Sequence, residues 1–476
     1  MNIQIHFLDY FIIVLYILGI FFLAYKSGRK QNGSNLVEDQ YLAGKSLSIP
    51  ESLFSIIATE VSALTFLGIP AIAYGKDYSF IQIYMGAVIG RLVIAFIMLP
   101  KVYNKGITIY SVMGQQGTPG GQRAIAIFYS LNKFLAVGVR LFSGSIIITE
   151  FFNINIYIAV GIICVITFFY TLIGGLKAVV RTDMIQMFIF IGGGIAAHYM
   201  IPTISGNSWS NLIQLAANAD KLTFISFTDP TPFIIGVFGG ILFDMATHGV
   251  DQDFVQRLTA NKTLKGAQFS IVMSSFISIS VGFLFLSIGS LLWSHYQLSI
   301  APEIANDKIF AHFITSYFPI GLKGLMVAGV LAATMSTLDS SINALSSCLY
   351  NDIFKHNYTN AEEIKKSYRR DTLIITLGLM LIAFIASNSD SLLYFGLKIT
   401  SWTAGSLLAV FFATVIFKTT QLTSKTVIIA YLAGIIGVYI NTFHLEWNWN
   451  FNVYFGFIFA SIPLTTSNFI KSSPTH

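Results

Sequence analysis

Between Met326 and Tyr350, a stretch apolar enough to cross a bilayer carries Thr334, Ser336, Thr337, Asp339, Ser340, Ser341, Asn343, Ser346 and Ser347. Hydroxyls and an acid are costly in hydrocarbon unless they meet partners. A membrane helix keeps so many oxygens when they face other helices, water or an ion. Ser336, Ser340, Asn343 and Ser347 follow i, i+4, i+7 and i+11, one helical stripe, which Thr337 and Ser341 broaden. Small residues on a stripe also serve as helix-packing glue, but Asp339 argues against packing alone. The pattern points to a coordinated cation inside a transporter.

A second run, SLFSIIATEVSALTFLGIPAIAYG, is interrupted near its middle by Ser55, Thr59, Glu60, Ser62 and Thr65, with Gly68 and Pro70 following. Hydroxyls beside helix breakers suggest a locally unwound helix whose freed carbonyls can bind a cation. The plainer reading is a proline kink with hydroxyls bonded back to carbonyls, in which Glu60 has no role. Arg140 sits mid-span in LAVGVRLFSGS. Two uses stay open for it, pairing with an internal acid such as Glu60 or gripping a carboxylate bidentately. Asp183, in GGLKAVVRTDMIQ, reads on its own as a cap or macrodipole partner. Arg91 and Lys398 also lie within spans, and their spacing indicates no partner; snorkelling or pairing is expected of them. The stretch HGVDQDFVQRLTANKTLKGAQ packs Asp251, Asp253, Arg257, Lys262 and Lys265 and reads as a solvated face with an ion-pair network. His248 has no metal-ligand spacing with another His or Cys and reads as structural.

The elements that must position these groups are helices. The 476 residues are 54% hydrophobic and 11% charged, against about 25% charged in soluble domains. Long apolar stretches make this an all-α polytopic membrane protein. Thirteen spans are expected, at about 8–25, 50–75, 79–100, 124–151, 156–175, 182–203, 231–250, 267–294, 321–349, 371–388, 391–417, 426–441 and 450–468, with edges good to about four residues. The run from Leu8 reads as a retained span rather than a signal peptide. Cys164 and Cys348 lie within apolar segments, so no disulfide framework is implied. The net charge of +6 does not indicate nucleic acid, because the basic residues lie between spans.

Most Lys and Arg fall in one set of alternate loops, from Lys26, Arg29 and Lys30 to Lys418, Lys425 and Lys471, while the opposite set holds Lys76, Lys221, Lys308 and Lys323. The N-terminus is therefore expected outside and the C-terminus in the cytoplasm. On that count, 50–203 and 231–417 begin in opposite directions, as two inverted five-helix repeats would, with 8–25 as an extra first helix and 426–468 as two further ones. Such repeats place the substrate site at mid-membrane.

Taken together, GGLKAVVRTDMIQ (174–186), VDQDFVQR (250–257) and LAATMSTLDSSINALSS (331–347) resemble the sodium/solute symporter family, which includes sodium–glucose, sodium–iodide, sodium–proline and bacterial sialic acid symporters. The resemblance implies a leucine-transporter-like fold. It implies a main sodium site of Ala58 and Val61 carbonyls with Ala333, Ser336 and Thr337. For members that couple to a second sodium it implies Asp183, Ser336, Thr337 and Ser340, beside which this chain adds Asp339 where the sialic acid branch has a hydroxyl. For the substrate it implies Ser62, Thr65, Phe80 and Arg140. Glu60 stands where that branch has a threonine, and Tyr84, near Gln82, where it has a glutamine.

The expected activity is sodium-coupled uptake of a small polar organic solute by alternating access, a carboxylate or sugar acid such as sialic acid. The alternative is a same-fold sodium or proton symporter for a neutral sugar, amino acid, monocarboxylate or inorganic anion. Na+ is the expected coupling ion. No HExxH, cysteine/histidine pair or phosphate-binding glycine loop suggests an enzyme. A monomer in the inner (plasma) membrane, embedded in lipid and without nucleic acid, is expected.

Overall fold

The computed structural model describes residues 6–28, 36–115, 117–225, 227, 233–355, 360–386, 392–418 and 421–471. Arg29 and Lys30, and the expected span edges at 231, 388 and 391, lie outside them. The long helices are α1 (Phe7–Gly28), the bent pair α2 (Ile49–Glu60) and α3 (Ala63–Gly75), α4 (Ile81–Val102), α5 (Pro119–Phe152) and α6 (Ile156–Ser205). A second bent pair, α7 (Phe233–Gly249) and α8 (Gln252–Thr259), is followed by α9 (Leu264–Gln297) and α10 (Leu322–Cys348). The last four are α11 (Ala361–Ile385), α12 (Leu392–Phe411), α13 (Ser424–Ile440) and α14 (Asn452–Lys471). Short helices at Trp209–Asn218 and Asn306–Tyr317 lie in the two long connections. Each of the thirteen expected spans overlaps one of these helices. Among the described residues, eight helices are long and apolar enough to cross a membrane, or ten if each bent pair is one span.

Local sequence explains the interruptions. Helix α2 starts on Ser48, whose backbone N–H and hydroxyl both donate to Glu51, with Pro50 in the first turn, a capping arrangement. It ends at Val61, which is extended (φ −80°, ψ 101°), as is Ser62 (φ −110°, ψ 176°). The chain then turns by 57° into α3. This unwinding is the one expected from the sequence; the break at α7–α8, where the bend is 64°, was not expected. Helix α6, at 50 residues, would be about 75 Å long if straight, more than twice the hydrocarbon thickness. Gly175 divides it (φ +55°, ψ −160°), a conformation open essentially to glycine alone.

Burial ranks the helices. The apolar window of α10 is 94% enclosed by protein, against 28% for α1. The polar stripe therefore faces helices on every side, while Leu15, Leu18 and Phe22 of α1 point outward. Helices α4 and α7 touch backbone to backbone: a Cβ on Gly86 would lie 2.1 Å from the Val237 carbonyl, and one on Gly240 would lie 2.3 Å from that of Ile83. Small residues permit such approach in membranes, and here they bring Arg91 of α4 to Asp244 of α7.

Candidate functional site

The gap between α2 and α3 frees carbonyls. In a continuous helix the N–H groups of Ser62 and Thr65 would donate to Ala58 and Val61. Instead, Ser62 N–H donates to Thr65 Oγ1 at 3.3 Å and Thr65 N–H donates to Ser62 O at 2.9 Å. The carbonyls of Ala58 and Val61 thus lose their ladder partners, and both residues are buried, so another partner is required. The polar stripe of α10 packs beside this break, with Thr59 Oγ1 3.3 Å from Ser340 Oγ. Thr337 donates to Ala333 O at 3.0 Å and Ser336 donates to Asp183 Oδ1 at 2.5 Å. An alkali cation needs several oxygens and little charge, which this donor set offers.

Asp183 is no surface cap. It is fully buried and accepts from Ser55 at 2.5 Å as well as from Ser336, and it forms an ion pair of 3.1 Å with Arg257. Arg257 also pairs with Asp253 at 2.8 Å and donates to Ser55 at 2.7 Å and to Ser340. Ser341 reaches Asp253 at 3.0 Å, and Lys133 of α5 bridges Asp251 at 2.8 Å and Asp253 at 3.0 Å. In the stretch expected to be a solvated face with an ion-pair network, the network is present and Lys262 and Lys265 are exposed, but the solvated placement of Asp253 and Arg257 is corrected. Asp253 and Arg257 are 0% exposed, because the bend after Gly249 turns α8 into the protein. Asp339 accepts from Tyr170 and from Ser340, the latter at 3.3 Å, and Thr337 bonds to its own helix rather than to Asp183.

Beside the break lies a cavity of about 110 Å³. Glu60, Ser62, Thr65, Phe80, Tyr84 and Arg140, from four elements, all line it. Gln82 does not; its amide donates to Phe224 O at 3.0 Å. A smaller cavity of about 40 Å³ shares Arg140, Thr247 and Phe254 with it.

The two open uses of Arg140 divide on one fact. Glu60 is taken by Arg91, at 2.7 Å, and Ser278 donates to its other oxygen at 2.6 Å. Arg91, for which spacing indicated no partner, is fully buried and also meets Asp244 at 3.3 Å, Ser274 at 2.7 Å and His248 at 3.2 Å. Arg140 makes no hydrogen bond or ion pair among the described residues. Asp244, which also lines the cavity, was not singled out in the sequence; His248, read there as structural, lines it too. The signal was present in Gly86 and Gly90 before Arg91, and in Gly236 and Gly240 before Asp244.

The family model described as Sodium:solute symporter family matches residues 40–434. A sodium-coupled monocarboxylate transporter 2 of Mus musculus is 27% identical over 84% of this chain and 66% of its own length. The chain thus spans just under two thirds of that relative. The sodium/sialic acid symporter SiaT of Proteus mirabilis is 28% identical over 63% of this chain and 62% of its own. The sodium/glucose cotransporter of Vibrio parahaemolyticus is 26% identical over 90% and 84%. In three dimensions the chain superposes on a substrate-bound, outward-open Na+-coupled sialic acid symporter with a TM-score of 0.87, 21% identity and 98% of each chain covered. Mhp1, a nucleobase-cation-symport-1 family transporter, gives 0.60 at 14% identity over 90% and 93%.

Proposed function

Because the chain belongs to the sodium:solute symporter family, we propose that it imports a small polar solute bearing a carboxylate, of the sugar-acid kind that includes sialic acid, together with Na+ by alternating access. The observation that carries this reading is Arg140, a cavity-lining cation to which no described acid is paired. A guanidinium there can take a carboxylate bidentately.

The main sodium site comprises the Ala58 and Val61 carbonyls with Ala333, Ser336 and Thr337. Support comes from the redirected N–H groups at the break and from the adjoining stripe. A second sodium site comprises Asp183, Ser336, Thr337, Asp339 and Ser340; its support is the convergence of Ser55, Ser336 and Arg257 on Asp183. Ser62, Thr65, Phe80, Tyr84 and Arg140 contact the solute, with Glu60 held back by Arg91. Sodium bound between α2–α3 and α10 favours the outward-facing state through its higher affinity for that state. Each inward Na+ contributes about 2.3 kcal/mol per 100 mV of membrane potential. We take 50–203 and 231–417 as inverted repeats, since each opens on a bent helix pair. The protein works as a monomer in the plasma membrane, N-terminus outside and C-terminus in the cytoplasm, as its alternating Lys/Arg distribution indicates, and it catalyses no chemical conversion.

The test is uptake of radiolabelled sialic acid and short monocarboxylates into proteoliposomes under an inward sodium or potassium gradient. Accumulation in sodium alone supports the proposal; equal accumulation in both contradicts it.

A further inference from the structure

Resting on the reading of Asp183 and its neighbours as a second sodium site, we infer that Arg257 is a tethered competitor for that site. Its guanidinium and the second Na+ take the same oxygens, so the ion binds only as Arg257 withdraws toward Asp253. Of the residues assigned to the site, Arg257 already holds two. Its Nη2 lies 3.1 Å from Asp183 Oδ2 and also donates to Ser340 Oγ. A cation coordinated by those two oxygens would lie where the Nη2 hydrogens point, beside a fixed positive charge. Geometry and like charge make the two occupants mutually exclusive.

Arg257 can release Asp183 without being stranded. Its Nη1 donates to the Asp253 carboxylate at 2.8 Å and to the Asp253 carbonyl at 2.6 Å, and its Nε donates to Ser55 at 2.7 Å. Asp183 would then keep the hydroxyls of Ser55 and Ser336, both at 2.5 Å, and would lack a counterion, which sodium supplies.

The ion pairs run in one chain, Asp251–Lys133–Asp253–Arg257–Asp183. Two basic side chains thus serve three acids, with an acid at each end. Asp251 is partly exposed and can be served by water. Asp183 is fully buried, and it shares its one basic partner among the described residues with Asp253. The place for one more cation is therefore at Asp183. Because Arg257 stands on α8, past the bend after Gly249, the exchange ties the second ion to the seating of that bent pair.

The experiment is thermal unfolding of the purified full-length protein as sodium chloride replaces choline chloride at constant ionic strength. Arg257→Gln should melt lower without sodium, yet half-saturate the sodium stabilisation at a concentration at least about tenfold lower than the wild type, equivalent to about 1.4 kcal/mol. Asp253→Asn should act in the opposite sense, raising the half-saturating sodium at least about threefold, because Arg257 then has Asp183 as its remaining acid while Lys133 keeps Asp251. In an Asp183→Asn background, Arg257→Gln should leave the sodium response where Asp183→Asn alone puts it. An unchanged or higher sodium requirement in Arg257→Gln overturns the inference, as does a tightening that persists in the Asp183→Asn background, which would mark a field effect on another site. Should Arg257→Gln fail to fold, an unchanged or lower requirement in Asp253→Asn overturns it instead. These failures leave the symporter reading standing while sodium still stabilises the wild type; a wild type indifferent to sodium fells both.

Discussion

The Arg91 guanidinium, fully buried on α4, lies 2.7 Å from the carboxylate of Glu60 at the end of α2. This contact decides what the cavity is. It removes the internal acid that would otherwise cancel Arg140, and it ties the broken first helix to α4 and, through Asp244, to α7. A residue that looks like a stray charge in a span is the counterion of an acid that lines the cavity proposed to take the solute.

Arg91→Met should therefore be costly. It takes the guanidinium from buried Asp244 and partly buried Glu60, and breaking a buried pair from one side destabilises by about 3–5 kcal/mol. Thermal unfolding in detergent should show a large fall. Adding Glu60→Gln and Asp244→Asn should restore most of it, because no uncompensated charge then remains. An unchanged melting temperature in the single variant would mean that the pair is not formed.

Arg140→Ala should abolish uptake of any solute bearing a carboxylate while leaving the fold intact, since no described partner loses a bond. Losing a charge-assisted bidentate contact costs roughly 1.5–3 kcal/mol, about a tenfold to hundredfold loss of affinity. Isotope uptake and thermal unfolding measured on the same preparation separate the two effects. Retained uptake would make Arg140 a packing residue.

Asp183→Asn removes the acid on which Ser55, Ser336 and Arg257 converge. The expected outcome is a lower Hill coefficient for sodium in initial-rate uptake. A coefficient equal to that of the wild-type protein would remove the second ion from the proposal.

Much of this was legible in the sequence, for reasons that differ by residue. The unwound stretch near Val61 was readable because polar side chains and Pro70 cluster where lipid would reject them. The stripe on α10 was readable from helical spacing. What spacing cannot give is which helices touch. Arg91 meets Glu60 and Asp244 because Gly86 and Gly240 let two backbones meet, and that pairing is a property of tertiary packing. The second bend misled in the same way. VDQDFVQR carries enough charge to look solvated, yet the turn after Gly249 buries Asp253 and Arg257 among partners of opposite sign. Gln82 sits on the right helix but on a face turned toward Phe224.

The most direct measurement is thermal stability of the solute-free protein as sodium chloride replaces choline chloride at constant ionic strength. A bound ligand raises stability by RT ln(1 + [L]/Kd), so the melting temperature of the wild type should climb with sodium and not with potassium. In Ser336→Ala and Thr337→Ala the climb should need at least about tenfold more sodium, or about 1.4 kcal/mol of lost binding. A wild-type melting temperature indifferent to sodium, or a response untouched by both substitutions, would contradict an ion held between the α2–α3 break and α10.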